Sequence, residues 1–395
     1  MENETAIETC RALMERGDRL AEQGDPESLA AAVAVYDEAI ALGDVLDLSV
    51  ADERRELAKA QNRKGIALCK QGTPAALAAA VDAHDEAIGL RRGLDLSVAE
   101  YRNDLAGACT NKGIALQAQG TPAALAAAVD AYDEAIGLGR GLDLSVAGYR
   151  IYLANACSSK GVALRALGTP DALAAAMVAY DEAIGLLRGL DLSVAEYRNG
   201  LAWACSDKGL TLAALGTPAA LAAAVDAYDE AITLRRGLDL SVAKYRNHLA
   251  AACLNKGNAL EAQGTPAALA AAVDAYDEAI GLRRGLDLSV AKYRNDLAAA
   301  CSNKGDALQV QGTPAALAAA VDAYDEAIGL GRGLDLSVAE YRNYLAAACS
   351  NKGVALENWL SGISVGRIVS QKQQDRAVTQ KENGSMATSE NSVSL

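Results

Sequence analysis

Apolar residues recur at three- and four-residue spacing after a Gly-Thr-Pro triplet. In the copy that starts at Gly120, the residues on this spacing are Leu125, Val129, Tyr132 and Ile136. They fall on one face of a helix. Thr121 is placed to cap this helix, and Pro122 is placed in its first turn, where a missing N–H costs nothing. The pattern predicts a helix from Pro122 to about "GLGRGL".

A second amphipathic segment follows a short "LDL" loop and continues to the next Gly-Thr-Pro. It spans about 22 residues, which as a helix is roughly 33 Å long. In three copies a serine precedes a glutamate at the distance of a capping box: Ser97 and Glu100, Ser193 and Glu196, Ser337 and Glu340. We therefore expect the long helix to begin at the serine. Since no alternating β pattern interrupts the helices, the sequence predicts an all-α protein.

The two-helix unit repeats along most of the 395 residues. The triplet starts at Gly72, Gly120, Gly168, Gly216, Gly264 and Gly312, with a Gly-Asp-Pro version at Gly24, so the period is 48. A period of this size indicates an α-solenoid of stacked antiparallel helix pairs. We expect a leading half-repeat helix over 1–23, seven repeats over 24–359, and a polar, largely disordered C-terminal tail over 360–395.

The order of residues resembles the tetratricopeptide repeat (TPR) family. "CTNKGIAL" has Cys109, Gly113 and Leu116 in family positions, and "AVDAYDEA" supplies the Ala, aromatic and Ala positions, here centred on Tyr132. The resemblance implies a TPR-like right-handed superhelix whose long helices line a concave groove that holds a peptide or protein. The chain departs from the family in its period of 48, against 34, and in a lysine such as Lys112 at a core leucine position. We expect Lys112 and Arg102 to snorkel or to pair with the Asp-Glu of the short helix.

Four positions of the long helix, separated by 3, 7 and 3 residues, share one face and differ among copies. We call this face the variable stripe. Its candidate partner-binding residues are Asp104, Gly107, Ile114, Gln117, Tyr152, Asn155, Arg165, Trp203, His248, Asn258, Glu261, Asp296, Asp306, Tyr344 and Glu357.

The variable stripe has two interpretations, which are partner recognition and drift on an exposed face. Neutral drift would also have changed the exposed face of the short helix. Because the short helix hardly varies among the copies, recognition is favoured. Tyr152, Trp203 and Tyr344 supply aromatic anchors of the kind that dominate interfaces. The acids Glu261, Asp296, Asp306 and Glu357 make the C-terminal half acidic. We therefore expect a protein or peptide partner with a basic or amphipathic segment.

Composition excludes several other functions. The formal net charge is −14 and the pI about 4.8, which disfavours nucleic-acid binding. Charged residues interrupt every apolar run before it reaches membrane-spanning length. The N-terminus lacks the features of a signal peptide, so we expect a cytoplasmic protein that does not bind membranes.

Candidate chemistry is scarce. The six cysteines at one repeat position are expected to be small buried residues, and neither a metal site nor a cofactor is expected, since no CxxC occurs and only two histidines exist. His84 replaces the repeated tyrosine and is expected to pack. No HExxH, Walker or GxSxG motif is present, so the chain is expected not to be an enzyme. The alternative function is structural, with self-association through an uncapped C-terminal end at Trp359 and Leu360.

Overall fold

The computed structural model describes residues 2–361. Within them lie fifteen α-helices, one short 3-10 turn (Leu42–Asp44) and no strand. The helices are α1 Glu2–Gln23, α2 Pro26–Ala41, α3 Ala51–Gln71, α4 Pro74–Arg92, α5 Ala99–Gln119, α6 Pro122–Arg140, α7 Ala147–Leu167, α8 Pro170–Arg188, α9 Ala195–Leu215, α10 Pro218–Arg236, α11 Ala243–Gln263, α12 Pro266–Arg284, α13 Ala291–Gln311, α14 Pro314–Gly331 and α15 Ala339–Ser361. The all-α fold predicted from the sequence is confirmed.

The helices pack in consecutive pairs inside two compact units, one ending at Leu190 and the other beginning at Asp191. In the first unit the pairs are α1 with α2, α3 with α4, α5 with α6 and α7 with α8, and each long helix also contacts the next long helix. In the second unit α9 pairs with α10, α11 with α12 and α13 with α14, and α15 packs on α14. Each unit is thus a stack of helix pairs, as in an α-solenoid. The right-handed superhelix and the division into seven repeats stay predictions. The expected tail lies outside the described residues except at Leu360 and Ser361, which continue α15.

The Gly-Thr-Pro triplet ends one helix and begins the next. Gly120 has φ +69°, the left-handed conformation that terminates helices, and its N–H donates to the carbonyl of Gln117 at 3.1 Å. The Thr121 hydroxyl accepts the N–H of Ala124 at 3.2 Å, and Pro122 occupies the first helical turn. The predicted cap is confirmed, and the other Gly-Thr-Pro copies repeat it.

The predicted capping box at the start of the long helix is wrong. The helix α5 begins at Ala99, after Val98, and no side chain caps it. Asp95 accepts the N–H of Ser97 at 3.0 Å instead. Hydrogen bonds from the Ser97 hydroxyl and then from its backbone N–H lower the pKa of the Asp95 carboxyl. Because the turn closed by Asp95 holds the serine outside the helix, the helix starts two residues later. The same turn stands before α9 and α15.

An aromatic ring of each short helix, a tyrosine in all but α4, lies directly on a glycine of the long helix that precedes it. A Cβ placed on Gly113 would lie 2.5 Å from Cε1 of Tyr132, and the Tyr132 side chain is fully buried. The equivalent pairs are Gly17–Tyr36, Gly65–His84, Gly161–Tyr180, Gly209–Tyr228, Gly257–Tyr276 and Gly305–Tyr324. Only glycine allows a ring this close to the helix axis, so this contact sets the spacing of every helix pair.

The repeated basic residues have fixed partners. Lys112 Nζ lies 2.7 Å from Asp85 Oδ1 on the preceding short helix, which confirms one of the two expected roles. Arg102 pairs with backbone instead. Its Nε donates to the Leu96 carbonyl at 2.9 Å and its Nη1 to the Gly141 carbonyl at 2.6 Å. The guanidinium therefore ties the loop before α5 to the end of α6, where free carbonyls need donors.

The repeated cysteines are buried from Cys109 to Cys301, and none of the eight cysteines, all of which are described, forms a disulfide. Burial raises the pKa of the Cys109 thiol to about 12, which keeps the thiol protonated and unreactive. Cys349 on α15 is exposed, contrary to the expectation for its position. It lies on the last described helix, where no later described helix covers this face.

His84 packs in the place of the repeated tyrosine, as expected. It is fully buried against Gly65, and neither ring nitrogen has a hydrogen-bond partner among the described residues. Burial, followed by the positive charge of Arg91, lowers the pKa of His84 to about 3. The imidazole is therefore neutral in the folded protein across the physiological range.

Replacing Gly113 by Ala should destabilise the protein by about 1–3 kcal/mol, because the new Cβ forces the Tyr132 ring to move. The matched control is Gly137→Ala on α6, where nothing lies within 4 Å of the new Cβ and a gain of about 0.5–1 kcal/mol is expected. Urea unfolding followed by circular dichroism measures both. Equal effects of the two changes would show that the Gly–Tyr contact does not set the helix spacing.

Stability should fall on acidification through His84. The folded-state pKa of about 3 lies below the ordinary histidine pKa of 6.5, so the unfolded chain binds a proton that the folded chain excludes. The contribution is present above pH 6.5 and is lost as the pH falls below it, by about 2 kcal/mol at pH 5. In His84→Phe this share of the pH dependence should vanish. Parallel melting temperatures of the two proteins from pH 7.5 to pH 5 would contradict the assignment.

Candidate partner-binding surface

The structure places every residue of the variable stripe on a long helix but at very different depths. Tyr152 is 49 % exposed and Glu357 is also exposed, whereas Glu261 and Asp306 are only 8 % and 9 % exposed. The half-buried members are Asp104, Gly107, Ile114, Gln117, Asn155, Arg165, Trp203, His248, Asn258, Asp296 and Tyr344. The stripe is therefore not a uniform solvent-facing surface.

Several polar residues of the variable stripe accept hydrogen bonds from the hydroxyls of the buried tyrosines. The Tyr276 hydroxyl lies 2.8 Å from Asn258 Oδ1 and 2.9 Å from Glu261 Oε2. The Tyr324 hydroxyl lies 2.6 Å from Asp306 Oδ1. A buried hydroxyl without an acceptor is costly, so these side chains are needed for the packing of their own repeat.

The same acceptors also join neighbouring repeats of the second unit. Asn303 Nδ2 donates to Asn258 Oδ1 at 3.0 Å, and Asn351 Nδ2 donates to Asp306 Oδ1 at 3.0 Å. Glu261 and Asp306 therefore turn inward and present little charge to a ligand. The expected acidic surface of the C-terminal half is reduced to the half-buried Asp296 and the exposed Glu357.

The residue type at some stripe positions is correlated with the residue type near the end of the preceding short helix. This correlated position on the short helix was missed by the sequence reasoning. Arg91 Nη1 donates to the backbone carbonyl of Asp104 at 2.8 Å, and Arg283 Nη1 donates to that of Asp296 at 2.6 Å. Burial lowers the pKa of both arginines, and the negative charge of the aspartate opposes this lowering in part. The signal was visible as the change between "GLRRGL" and "GLGRGL" among the copies.

Where the short helix ends in glycine instead of arginine, the stripe carries tyrosine. A Cβ on Gly139 would lie 3.1 Å from Leu153 Cδ1, so this glycine lets the next long helix approach closely. Tyr152 lies beside Leu153 on that helix and points outward. The other pair of this kind is Gly331 with Tyr344. Part of the variation is therefore compensation between neighbouring helices and needs no ligand.

Trp203 and His248 form a cluster with a buried arginine in the second unit. The Trp203 and His248 ring centroids are 4.7 Å apart in an edge-to-face arrangement, and the Arg235 guanidinium lies 4.8 Å from the Trp203 centroid. Arg235 is 1 % exposed, and its Nη1 donates to Ser206 Oγ at 2.9 Å. The structure thus brings together two stripe residues from adjacent long helices.

Other arrangements offer little chemistry. A shallow cleft in the first unit is lined by Cys157 and Val178, among others, but its charged groups form the ion pairs Lys160–Asp133 (2.5 Å) and Arg140–Glu182 (2.7 Å). Among residues 2–361, no three His, Cys, Asp or Glu side chains are placed to hold a metal ion. No helix in the same range has the length and apolar character needed to cross a membrane.

Comparison with known proteins identifies no family. No family model and no curated protein sequence matches the chain. Among solved structures, the chain is similar to BtubC (BKLC) from P. vanneervenii, with 17% identity, 73% of this chain and 94% of that chain covered, and a TM-score of 0.44. It is also similar to Nro1, a hypoxic regulator of sterol synthesis described as a nuclear import adaptor, with 14% identity, coverage of 85% and 99%, and a TM-score of 0.44. A circular tandem repeat protein gives 13% identity, coverage of 91% and 99%, and a TM-score of 0.33. These TM-scores are too low to support an argument about function.

The Tyr276 hydroxyl provides a test of the inward role of the stripe. Glu261→Ala should destabilise the protein by about 0.5–1.5 kcal/mol, since it removes one of the two acceptors of a buried hydroxyl and leaves Asn258 as the other. In the Tyr276→Phe background the same change should cost less, because the hydroxyl is already absent. A double-mutant cycle by urea unfolding should give a coupling of at least about 0.5 kcal/mol. Additive effects would refute the structural role of Glu261.

Proposed function

We propose that the protein is a non-enzymatic scaffold that binds a peptide or protein partner on the outward part of the variable stripe. The Gly–Tyr packing of every helix pair supports a repeat of the tetratricopeptide type, in which the long helices line the partner groove. We further propose that the scaffold acts in the cytoplasm.

The observation that carries the proposal is the exposed aromatic ring of Tyr152. The tyrosines of the short helices are fully buried or nearly so, whereas Tyr152 is 49 % exposed in the second turn of the long helix α7. No internal hydrogen bond uses its hydroxyl among the described contacts. An exposed aromatic side chain at a variable position is the type of residue that anchors interfaces.

The basic partner expected from the sequence has less support than the scaffold itself. Glu261 and Asp306 accept hydrogen bonds from buried tyrosines, so the carboxylates counted toward a basic partner are mostly engaged. The scaffold proposal rests on the outward aromatic residues and not on the acidic ones.

A second candidate function is self-association through the end of α15. Trp359 is 46 % exposed and Leu360 is 83 % exposed, and both are large apolar residues. If this end pairs with a second copy, light scattering of the wild type should show a mass that rises with protein concentration. Leu360→Lys should return the mass to that of the monomer. A constant monomer mass at high concentration would exclude this function.

The scaffold proposal is tested by capture of partners from native lysate. Tyr152→Ala should reduce capture by about 30-fold, which corresponds to the 2 kcal/mol of an interface anchor, while the melting temperature stays nearly unchanged. The matched control is Val178→Asp, which removes an exposed apolar side chain from a short helix and restores the Asp of the other copies. Unchanged capture with Tyr152→Ala, or equal loss in both variants, would contradict recognition by the stripe.

A further inference from the structure

Arg235 is a buried cation without an ion-pair partner among the described residues. Its Nη1 donates to the neutral Ser206 hydroxyl, and its Nε and Nη2 have no hydrogen-bond acceptor there. Burial lowers the pKa of Arg235 to about 10, and the more remote negative charge of Asp207 acts in the opposite direction. The guanidinium stays charged at neutral pH, so a positive charge lies beneath Trp203.

The equivalent arginines are compensated in a way that Arg235 is not. Arg91 and Arg283 each lie in the last turn of a short helix and donate to the main-chain carbonyl of an aspartate on the next long helix, Asp104 or Asp296. The negative charge of that aspartate acts on the arginine and partly offsets the effect of burial. At the position equivalent to these two aspartates, the long helix that follows Arg235 carries His248. This repeat has therefore kept the buried cation and lost the carboxylate that accompanies it elsewhere.

Two exposed lysines extend the positive charge to the surface. Lys244 on α11 and Lys292 on α13 occupy the repeat position at which Glu100, Glu196 and Glu340 stand in other copies. Burial lowers the pKa of His248 to about 4, and the charges of Arg235, Lys244 and Lys292 contribute in that order. All three cations therefore contribute positive potential at His248. The chain as a whole has a formal net charge of −14.

We propose that Trp203, Arg235, Lys244, His248 and Lys292 form a binding surface for an acidic peptide segment. Carboxylates of the segment lie at the two lysines and over His248, while the neighbouring apolar atoms of the segment pack on Trp203. Arg235 is a positioning residue, because it holds Trp203 and supplies positive charge from below. The inference rests on the scaffold function and specifies its partner as acidic in place of the basic one expected from the sequence.

The spacing of the cations favours an extended peptide over a compact anion. Lys244 and Lys292 occupy equivalent positions on successive long helices, which in such stacks lie roughly 10 Å apart. A polyproline II segment rises about 3.1 Å per residue and has three residues per turn, so side chains three residues apart lie on one face at about this distance. Acidic side chains with that spacing reach both lysines. A single phosphate or sulfate spans only one of them. The acidic remainder of the protein disfavours a nucleic acid.

The experiment uses Trp203 as the reporter in the full chain. The sequence has two tryptophans, so the Trp359→Phe background leaves Trp203 as the only one. A Gly/Ser peptide with glutamate at every third position should change Trp203 emission in a saturable manner, and the affinity should weaken at high salt. The same peptide with glutamine should bind at least ten-fold more weakly. Equal binding of the two peptides would overturn the proposal.

Variants that restore residues of other copies test the surface without disturbing the fold. His248→Asp gives Arg235 the carboxylate that Arg91 and Arg283 have, so it should reduce peptide affinity at least ten-fold and leave or raise the melting temperature. Lys244→Glu should also reduce affinity at least ten-fold. The matched control is Arg332→Glu, an equal charge change at an exposed residue of another repeat, which should alter affinity less than two-fold. Equal losses in Lys244→Glu and Arg332→Glu would reduce the effect to net charge and overturn the proposal.

Competing ligands separate the remaining possibilities. If inorganic phosphate at equal ionic strength binds as well as the glutamate peptide, the surface takes simple anions and the peptide proposal is wrong. If a lysine peptide of the same length binds better, the partner is basic and the proposal is also wrong. Failure of the glutamate peptide, together with loss of lysate capture in Tyr152→Ala, would refute this surface while the scaffold function stands.

Discussion

Each helix pair depends on the contact between a buried aromatic ring, tyrosine in every pair except the one with His84, and a glycine of the preceding long helix. The ring occupies space that a single Cβ would fill, as the 2.5 Å approach at Gly113 and Tyr132 shows. The contact lets two helices of different length pack closely, and alanines such as Ala108 and Ala128 line the rest of the fully buried interface. One pair is too small to bury its own apolar surface, so stability requires stacking of further pairs.

The tyrosine also explains why polar residues lie inside the stack. Its hydroxyl needs an acceptor when buried, and in the second unit Asn258, Glu261 and Asp306 supply it. Asn258 and Asp306 in turn each accept a hydrogen bond from an asparagine of the next repeat, so one hydrogen-bonded network connects packing within a pair to packing between pairs. Variation at such positions reflects which side chain of the same protein each residue hydrogen-bonds to. It is not by itself evidence of a ligand.

Candidate functional residues are therefore those whose side chains are not engaged in contacts within the helix stack. Besides the exposed Trp359 and Leu360 at the end of α15, two features remain in the described residues: the exposed ring of Tyr152, and the cationic surface around Trp203 and Arg235. They lie in different compact units. They also differ in chemistry, since the first is a neutral aromatic side chain and the second combines the Trp203 ring with positively charged side chains. The second feature exists because His248 stands where two other repeats have aspartate, and Lys244 and Lys292 stand where three others have glutamate.

The sequence by itself determined the helices and their boundaries at the Gly-Thr-Pro triplet, because capping, proline placement and apolar spacing are local effects. It also determined that Gly113 and Tyr132 belong to packed positions, since both recur with the period of 48. The start of the long helix was mispredicted because the competing Asp95 turn uses the same serine. Only the tertiary structure decided which stripe residues face outward. A helical face defined by period alone does not reveal that Glu261 reaches a tyrosine of the next helix or that Arg235 lacks its aspartate. Those facts depend on side chains from separate helices meeting in space, which local sequence pattern does not encode.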